Sequence, residues 1–364
     1  MHAASEPEGT ERAQAHADAE QRLTLAEAFT WQAARCAASG SPVAGRLLEV
    51  CAETAPQWAP LAGLDQATVR FGDHIPLRVM AALHYLALTR DAGGLPLHLP
   101  TLGGTAPPSG LGFASAVHDT LTAHPGTVAD FLARPPQTNE PGRREPLRAA
   151  LRATPAGQPV DLVELACSAG LNLSVDTSSL PGVAVASRRG CDLHPVDAAT
   201  TEGRALLSSY VWVDDTERFA RLGAAITSAG RHRPAIEQAD AAAFLDALNP
   251  RAHHTTLVWQ SALEPYLSTE RAAALRLAVD ALAARLPTGA TLVYATWEDA
   301  GDTSDPAIAF ALRARTWSGT GAPQVATLAR GSAHGALAAK TGALAAAHGA
   351  LPAPTGALPA ETGV

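Results

Sequence analysis

From about Leu23 to Arg152 apolar residues recur at helical spacing, in segments such as 25–38, 43–54 and 76–89 separated by Gly, Pro and Ser. In the last of these Val79, Leu83 and Leu86 share one face at i, i+4, i+7. No strand pattern precedes Val160, so this front part predicts a helical cap of roughly four to six helices. From Val160 the texture changes. Short apolar or β-branched runs at 160–165, 183–192, 235–238, 255–259 and 291–296 alternate with Ala/Leu-rich amphipathic stretches at 201–209, 216–229, 241–248 and 269–286. Strand and helix in alternation predict an α/β fold, a doubly wound, mostly parallel sheet, whose ligands bind at the carboxyl ends of the strands. Four regions follow: a disordered N-terminus at 1–22, the helical cap at 23–155, a Rossmann-like α/β domain at 156–318, and a low-complexity tail at 319–364. The tail is rich in Ala, Gly, Pro and Thr and too poor in large apolar groups to offset its ordering entropy.

The run Asp161-Leu162-Val163-Glu164-Leu165-Ala166-Cys167-Ser168-Ala169-Gly170-Leu171-Asn172-Leu173 is a strand that breaks into a turn of small residues. It is expected to open a helix whose free amides and positive dipole end would face a ligand. A G-x-G-x-x-G dinucleotide loop needs glycine where the backbone meets a pyrophosphate, yet Ala166, Ser168 and Ala169 hold the crowded positions and only Gly170 remains. S-adenosylmethionine has no phosphates and tolerates that turn. Its two ribose hydroxyls need a carboxylate, and Asp192 lies 22 residues after Gly170 (192 minus 170), at the expected end of the second strand. Asp240 follows the third strand and can face an adenine amino group. Glu164, Ala166, Ser168, Gly170, Asn172, Asp192 and Asp240 therefore form the candidate cofactor side. Each also has a structural reading: Glu164 as a strand-end acid, Ser168, Asn172 and Asp240 as helix caps, Asp192 as a turn acid before Pro195.

The chain has 364 residues, is 47% hydrophobic and carries a formal net charge of -8, without any dense Lys/Arg run. That supports a soluble protein with a small-molecule partner and argues against a nucleic-acid groove. The N-terminal 20 residues lack a secretory pattern and no stretch reaches 18 uninterrupted apolar residues, so no membrane association and a cytoplasmic location are expected. Cys36, Cys51, Cys167 and Cys191 form no C-x-x-C pair and read as free thiols. The 13 histidines show no ligand spacing, so no metal is expected.

Glu164 to Leu173, Gln137-Thr138-Asn139-Glu140-Pro141-Gly142-Arg143, Asp192-Leu193-His194-Pro195-Val196-Asp197 and Val211-Trp212-Val213-Asp214-Asp215-Thr216-Glu217-Arg218 together resemble an uncharacterised bacterial family, domain of unknown function 2332, over roughly Leu25 to Gly335. The core of that family is similar to class I methyltransferases. What the resemblance implies is that fold and S-adenosylmethionine as the cofactor. A loop carrying Asn139 and Glu140 would then fold over the strand ends toward the substrate, with Gln260 and Ser261 after the fourth strand beside the acceptor. Should the acceptor be a hydroxyl or amine, Glu140 and Glu298 are the candidate catalytic bases.

Two alternatives stand beside a methyltransferase acting on a small molecule. One is a non-catalytic ligand-binding protein of the same fold. The other is an α/β hydrolase with Ser168 on a relaxed nucleophile elbow and Asp299 and His334 as its acid and base. In that second reading the elbow strand would have to be the first of the sheet, with no glycine-rich oxyanion loop before it.

Overall fold

The computed structural model describes residues 22–66, 69–229, 234–319 and 321–338. Helix α1 (Leu25–Ala38) starts at Thr24, whose hydroxyl caps the Glu27 amide while the Glu27 carboxylate returns to the Thr24 amide. Helix α2 (Pro42–Trp58) places proline in its first turn, where no amide is needed. Helices α3 (Ile75–Leu88), α4 (Leu111–Ala123) and α5 (Pro125–Leu132) pack with these around one core that buries Phe29, Trp58, Met80, Leu83 and Phe113. Two short strands, β1 (Arg22–Leu23) and β2 (Val69–Arg70), pair antiparallel beside this bundle. They correct the expectation of no strand before Val160; two-residue strands carry no readable alternation.

Helix α6 (Arg144–Arg152), which falls inside the expected cap at 23–155, packs Leu147, Ala150 and Leu151 on the sheet instead. The cap therefore ends before α6 and not at 155. Seven strands form the sheet: β3 (Val160–Leu165), β4 (Val185–Asp192), β5 (Ala235–Gln238), β6 (Thr255–Ser261), β7 (Thr291–Asp299), β8 (Phe310–Ser318) and β9 (Gln324–Gly331). Their order is β5-β4-β3-β6-β7-β8-β9. The first five run parallel, and β8 and β9 continue as an antiparallel meander. The α/β fold is thus the doubly wound, mostly parallel sheet that the alternation predicts. Helices α7 (Thr201–Ser209) and α8 (Thr216–Ala229) lie between β4 and β5, α9 (Ala241–Ala247) between β5 and β6, and α10 (Thr269–Ala284) between β6 and β7.

Alternation along the strands sorts the two faces. Leu162, Leu257, Trp259, Val293 and Trp297 point to α6, whereas Val163, Leu165, Val258 and Leu292 point to α9 and α10. The strands β8 and β9 correct the expected end of the domain at 318, because β9 and residues through 338 belong to the sheet side of the molecule. Gly331 approaches Trp297, and Leu337 bridges back to Gly331. The parts of the tail and N-terminus calls at 339–364 and 1–21 lie outside the described residues.

A second correction concerns the turn after β3. No α-helix follows it; a single 3-10 turn, Asn172–Ser174, leads into an irregular segment. Asp176 accepts hydrogen bonds from the amide and hydroxyl of Ser178, so local Asx chemistry competes with helix formation before Pro181-Gly182 ends the segment.

The cap is fastened to the sheet domain through residues 209–214. His84 on α3 sits with Nδ1 at 3.0 Å from the Val211 carbonyl and 3.3 Å from that of Ser209, and Thr101 Oγ1 lies 3.0 Å from Nε2. The two carbonyls assign the proton to Nδ1, and burial holds the ring neutral by pushing its pKa down to about 4. Asp214 Oδ2 accepts from the Val43 amide at 2.7 Å, supplying an N-terminal partner for α2. No helix among the described residues is long and apolar enough to cross a membrane.

Candidate functional site

The carboxyl ends of β3, β4, β5 and β6 open into one cavity of about 560 Å³. Its floor is Ala166 and Ser168 after β3, Cys191 to His194 around the end of β4, Ala239 to Ala241 after β5, and Ser261 to Leu263 with Pro265 to Ser268 after β6. Residues of the cap, including Arg70, Asp73, Arg78 and Pro135 to Thr138, form the opposite wall. The chain turns outward from β3 to β4 on one side and to β6 on the other, so the cavity lies at the point where strand order reverses, the ligand position of doubly wound sheets.

Backbone strain concentrates here. Among the described residues six non-glycine positions have positive φ, and Ala166 (φ 50), Ser168 (φ 52) and Ala262 (φ 49) all line the cavity. Left-handed backbone at a residue with a Cβ is costly and persists where its surroundings enforce it. At Ser168 the enforcement comes from Asp192: its Oδ2 accepts from the Ser168 amide at 2.7 Å, and its Oδ1 from the His194 amide at 2.8 Å. Ser168 is buried, lines the cavity and its Oγ has no hydrogen-bond partner among the described residues; the same holds for Gln137 Oε1 on the cap side. Orphaned polar atoms on a cavity wall are where a ligand would be met. Asp240 lines the cavity while its Oδ1 accepts from the Ala242 amide at 2.9 Å, capping α9.

The remaining candidates sit elsewhere. Glu164 is buried beneath the turn, accepting from Asn172 Nδ2 at 3.1 Å, and burial raises its carboxyl to about 7. Gly170 (φ +64) is required because a Cβ there would meet Ile236 and Pro234, so its constraint is packing against the start of β5 and not approach to a ligand. Thus Ala166, Ser168, Asp192 and Asp240 line the cavity, and Glu164, Gly170 and Asn172 support it from below. On the substrate side Ser261 lines the cavity. Gln260 is buried against Glu298 at 2.9 Å and Tyr294, and Asn139 Oδ1 accepts from the Leu171 amide at 2.9 Å, tying the 137–143 loop to the turn.

Neither proposed base reaches the cavity wall. Burial alone would raise the Glu140 carboxyl, but Arg218 at 2.7 Å, with the Gly142 amide and nearby His334, holds it below the ordinary range, and Arg221 lies 3.3 Å away. The Glu298 carboxyl is raised to about 8 by burial and by nearby Glu264, and it accepts from the Leu263 amide at 2.9 Å, shaping the turn after β6. Sequence reading placed Glu140 on a loop folded over the strand ends and Glu298 after the fifth strand, and both side chains turn into the protein. It also missed Arg78, Arg143, Tyr266 and Arg271, which line the cavity from four separate elements and share no motif. The hydrolase reading fails on the same geometry: Ser168 Oγ has no histidine bonded to it, Asp299 caps the Gly301 amide, and His334 lies beside Glu140.

The bacterial family described as "Uncharacterized protein conserved in bacteria (DUF2332)" matches residues 26–181 and 176–340, which together span the cap, the sheet and the cavity. The chain belongs to that family. No curated protein sequence is significantly similar to it. Among solved structures it is similar to the sugar N-methyltransferase KedS8 from Streptoalloteichus sp ATCC 53650, at 18% identity over 52% of this chain and 72% of that one, with a TM-score of 0.23. It is likewise similar to Streptomyces venezuelae DesVI, at 15% identity over 54% of this chain and 80% of that one, with a TM-score of 0.25. Likenesses of that quality carry no functional weight, and the reading below stands on strand order and cavity.

Proposed function

We propose that this chain is an S-adenosylmethionine-dependent methyltransferase acting on a small molecule. The observation that carries it is Asp192, an acid at the end of the second strand, on the wall of a switch-point cavity whose first turn holds Ala and Ser in place of phosphate-binding glycines. The residues fit the cofactor: Asp192 would take the ribose hydroxyls, Asp240 the adenine amino group, and Ser168 Oγ, orphaned and buried, would gain a partner. When bound, the cofactor supplies an electrophilic methyl group on a sulfonium. The chain supplies alignment, through the rigid Ser168 to Asp192 contact, and exclusion of water by the cap wall. With Glu140 and Glu298 both off the wall, titratable groups that line the cavity and are not assigned to the cofactor include His194, Tyr266 and Asp73.

A ligand-binding protein without transfer is the competing reading, and a cavity plugged by large apolar side chains would favour it. The polar cap wall, with Gln137, Arg78 and Arg143, favours the enzyme. Mass spectrometry of the protein incubated with S-adenosylmethionine and a small-metabolite extract separates them. Extract-dependent formation of S-adenosylhomocysteine is expected; cofactor binding without turnover would support the binding protein, and no binding would contradict both.

A further inference from the structure

We propose that the molecule methylated here carries an anionic group, a carboxylate or a phosphate-type oxyanion, held by Arg78 and Arg143 on the cap side of the cavity. The term methylated rests on the methyltransferase reading; the anion site itself does not. Arg143 is 8% exposed and lines the cavity. Its Nε donates to the Ala333 carbonyl at 3.1 Å and its Nη1 to the Ser261 carbonyl at 3.3 Å, contacts that fix the plane of the guanidinium without neutralising it. Among the described residues no carboxylate lies within ion-pair distance of it; Glu140 and Glu298 act on its charge only from farther away. Arg78 is half-buried: Nη1 donates to the Leu132 carbonyl at 2.8 Å, its buried Nε has no partner, and Asp73 on the same wall acts on its charge from beyond ion-pair distance.

The other fully buried guanidinium among the described residues is paired. Arg218 meets Glu140 at 2.7 Å, with both side chains almost fully covered. A guanidinium removed from water without a counter-charge is costly, and the buried Arg143 beside the half-buried Arg78 on one cavity calls for an anion from outside the chain. Burial shifts both toward the neutral form, as expected of desolvation left uncompensated. The opposite wall carries Asp192 and Asp240, where a cationic sulfonium cofactor would lie, while on the cap side Asp73 is paired with Arg70 at 3.2 Å and leaves Arg78 and Arg143 as the excess charge. Arg271, exposed at the start of α10, adds a further cation to the cavity lining.

The test uses the full chain with benzoate and inorganic phosphate as probes, read by calorimetry and thermal shift with and without saturating S-adenosylhomocysteine. The wild type is expected to bind at least one probe, benzoate marking a carboxylate site and phosphate an oxyanion site. Arg78→Met and Arg143→Met are expected to weaken that binding on the order of tenfold or more, with Arg78→Lys recovering part of it and S-adenosylhomocysteine affinity unchanged. If Arg143→Met does not fold, Arg78→Met decides alone. The proposal is overturned if neither probe binds the wild type, if binding survives in the variants, or if the variants instead lose S-adenosylhomocysteine, which would assign the cations to the cofactor's own carboxylate. Failure of the methyltransferase reading shows separately, as wild type that binds the probes but not S-adenosylhomocysteine.

Discussion

Asp192 and Glu164 were both read from the sequence as acids at strand ends, and their surroundings give them opposite characters. Asp192 accepts one backbone amide on each oxygen and faces the cavity. Glu164 is sealed beneath the turn with one oxygen unpartnered, and burial raises it to about 7 from an ordinary 4.5. Because the folded state holds that proton more tightly than the unfolded chain, the contribution of Glu164 to stability is complete below about 4.5 and is lost as pH rises through about 7. Glu164→Gln keeps the acceptor for Asn172 and removes the titration. Melting curves from pH 4.5 to 8 are expected to show the variant gaining on the wild type as pH rises; parallel curves would mean that Glu164 is ionised in the folded protein. Which strand-end acid faced a ligand was not legible in the sequence, because that depends on whether the chain turns up into the cavity or down under the turn.

At the scale of elements, the central parallel strands were legible because they are buried on both faces and rich in apolar and β-branched residues, Val160–Leu165 and Thr255–Ser261 above all. The hairpin of β8 and β9 was not. Its alternation of Phe310, Leu312 and Ala314 with Ala311, Arg313 and Arg315 is diluted by alanine and by arginines, one of which stacks over Trp317 at 4.6 Å. The helix expected after the 166–170 turn is absent for a local reason, the Asp176 to Ser178 turn chemistry. Gly335 tests the revised boundary. It has φ +90, and a Cβ there would stand 2.2 Å from the Gly142 carbonyl oxygen. Gly335→Ala is expected to cost about 1–3 kcal/mol, from the left-handed backbone and the clash, a lowered Tm by calorimetry. An unchanged Tm would place this segment outside the cooperative fold.

Across the whole molecule, a helical cap closes over the switch point of a doubly wound sheet, and the joint between them runs through His84. Burial depresses that ring to about 4 from 6.5, so the unfolded chain takes up a proton the folded one refuses. The stabilisation is present above about 6.5 and is lost as pH falls toward about 4, on the order of a few kcal/mol in all. Burial depresses His74 and His334 in the same direction. His84→Asn, which can still donate to the Val211 carbonyl, is expected to flatten the fall of Tm between pH 6.5 and 4 by one of three contributions; an unaltered slope would show that the cap joint does not depend on a neutral imidazole.

The sequence pattern supplied the two-part architecture and the strand ends, yet the arginine-bearing wall became visible only once the fold brought Arg78 and Arg143, 65 residues apart (143 minus 78), to one side of the cavity. The most direct measurement is titration calorimetry of the wild type and Asp192→Ala with S-adenosylmethionine and S-adenosylhomocysteine. Binding to the wild type that weakens roughly tenfold or more in the variant, as loss of a charged hydrogen-bonding group should cause, is the predicted result. Absence of binding to the wild type, or equal affinity in both proteins, would contradict the placement of this cofactor on Asp192.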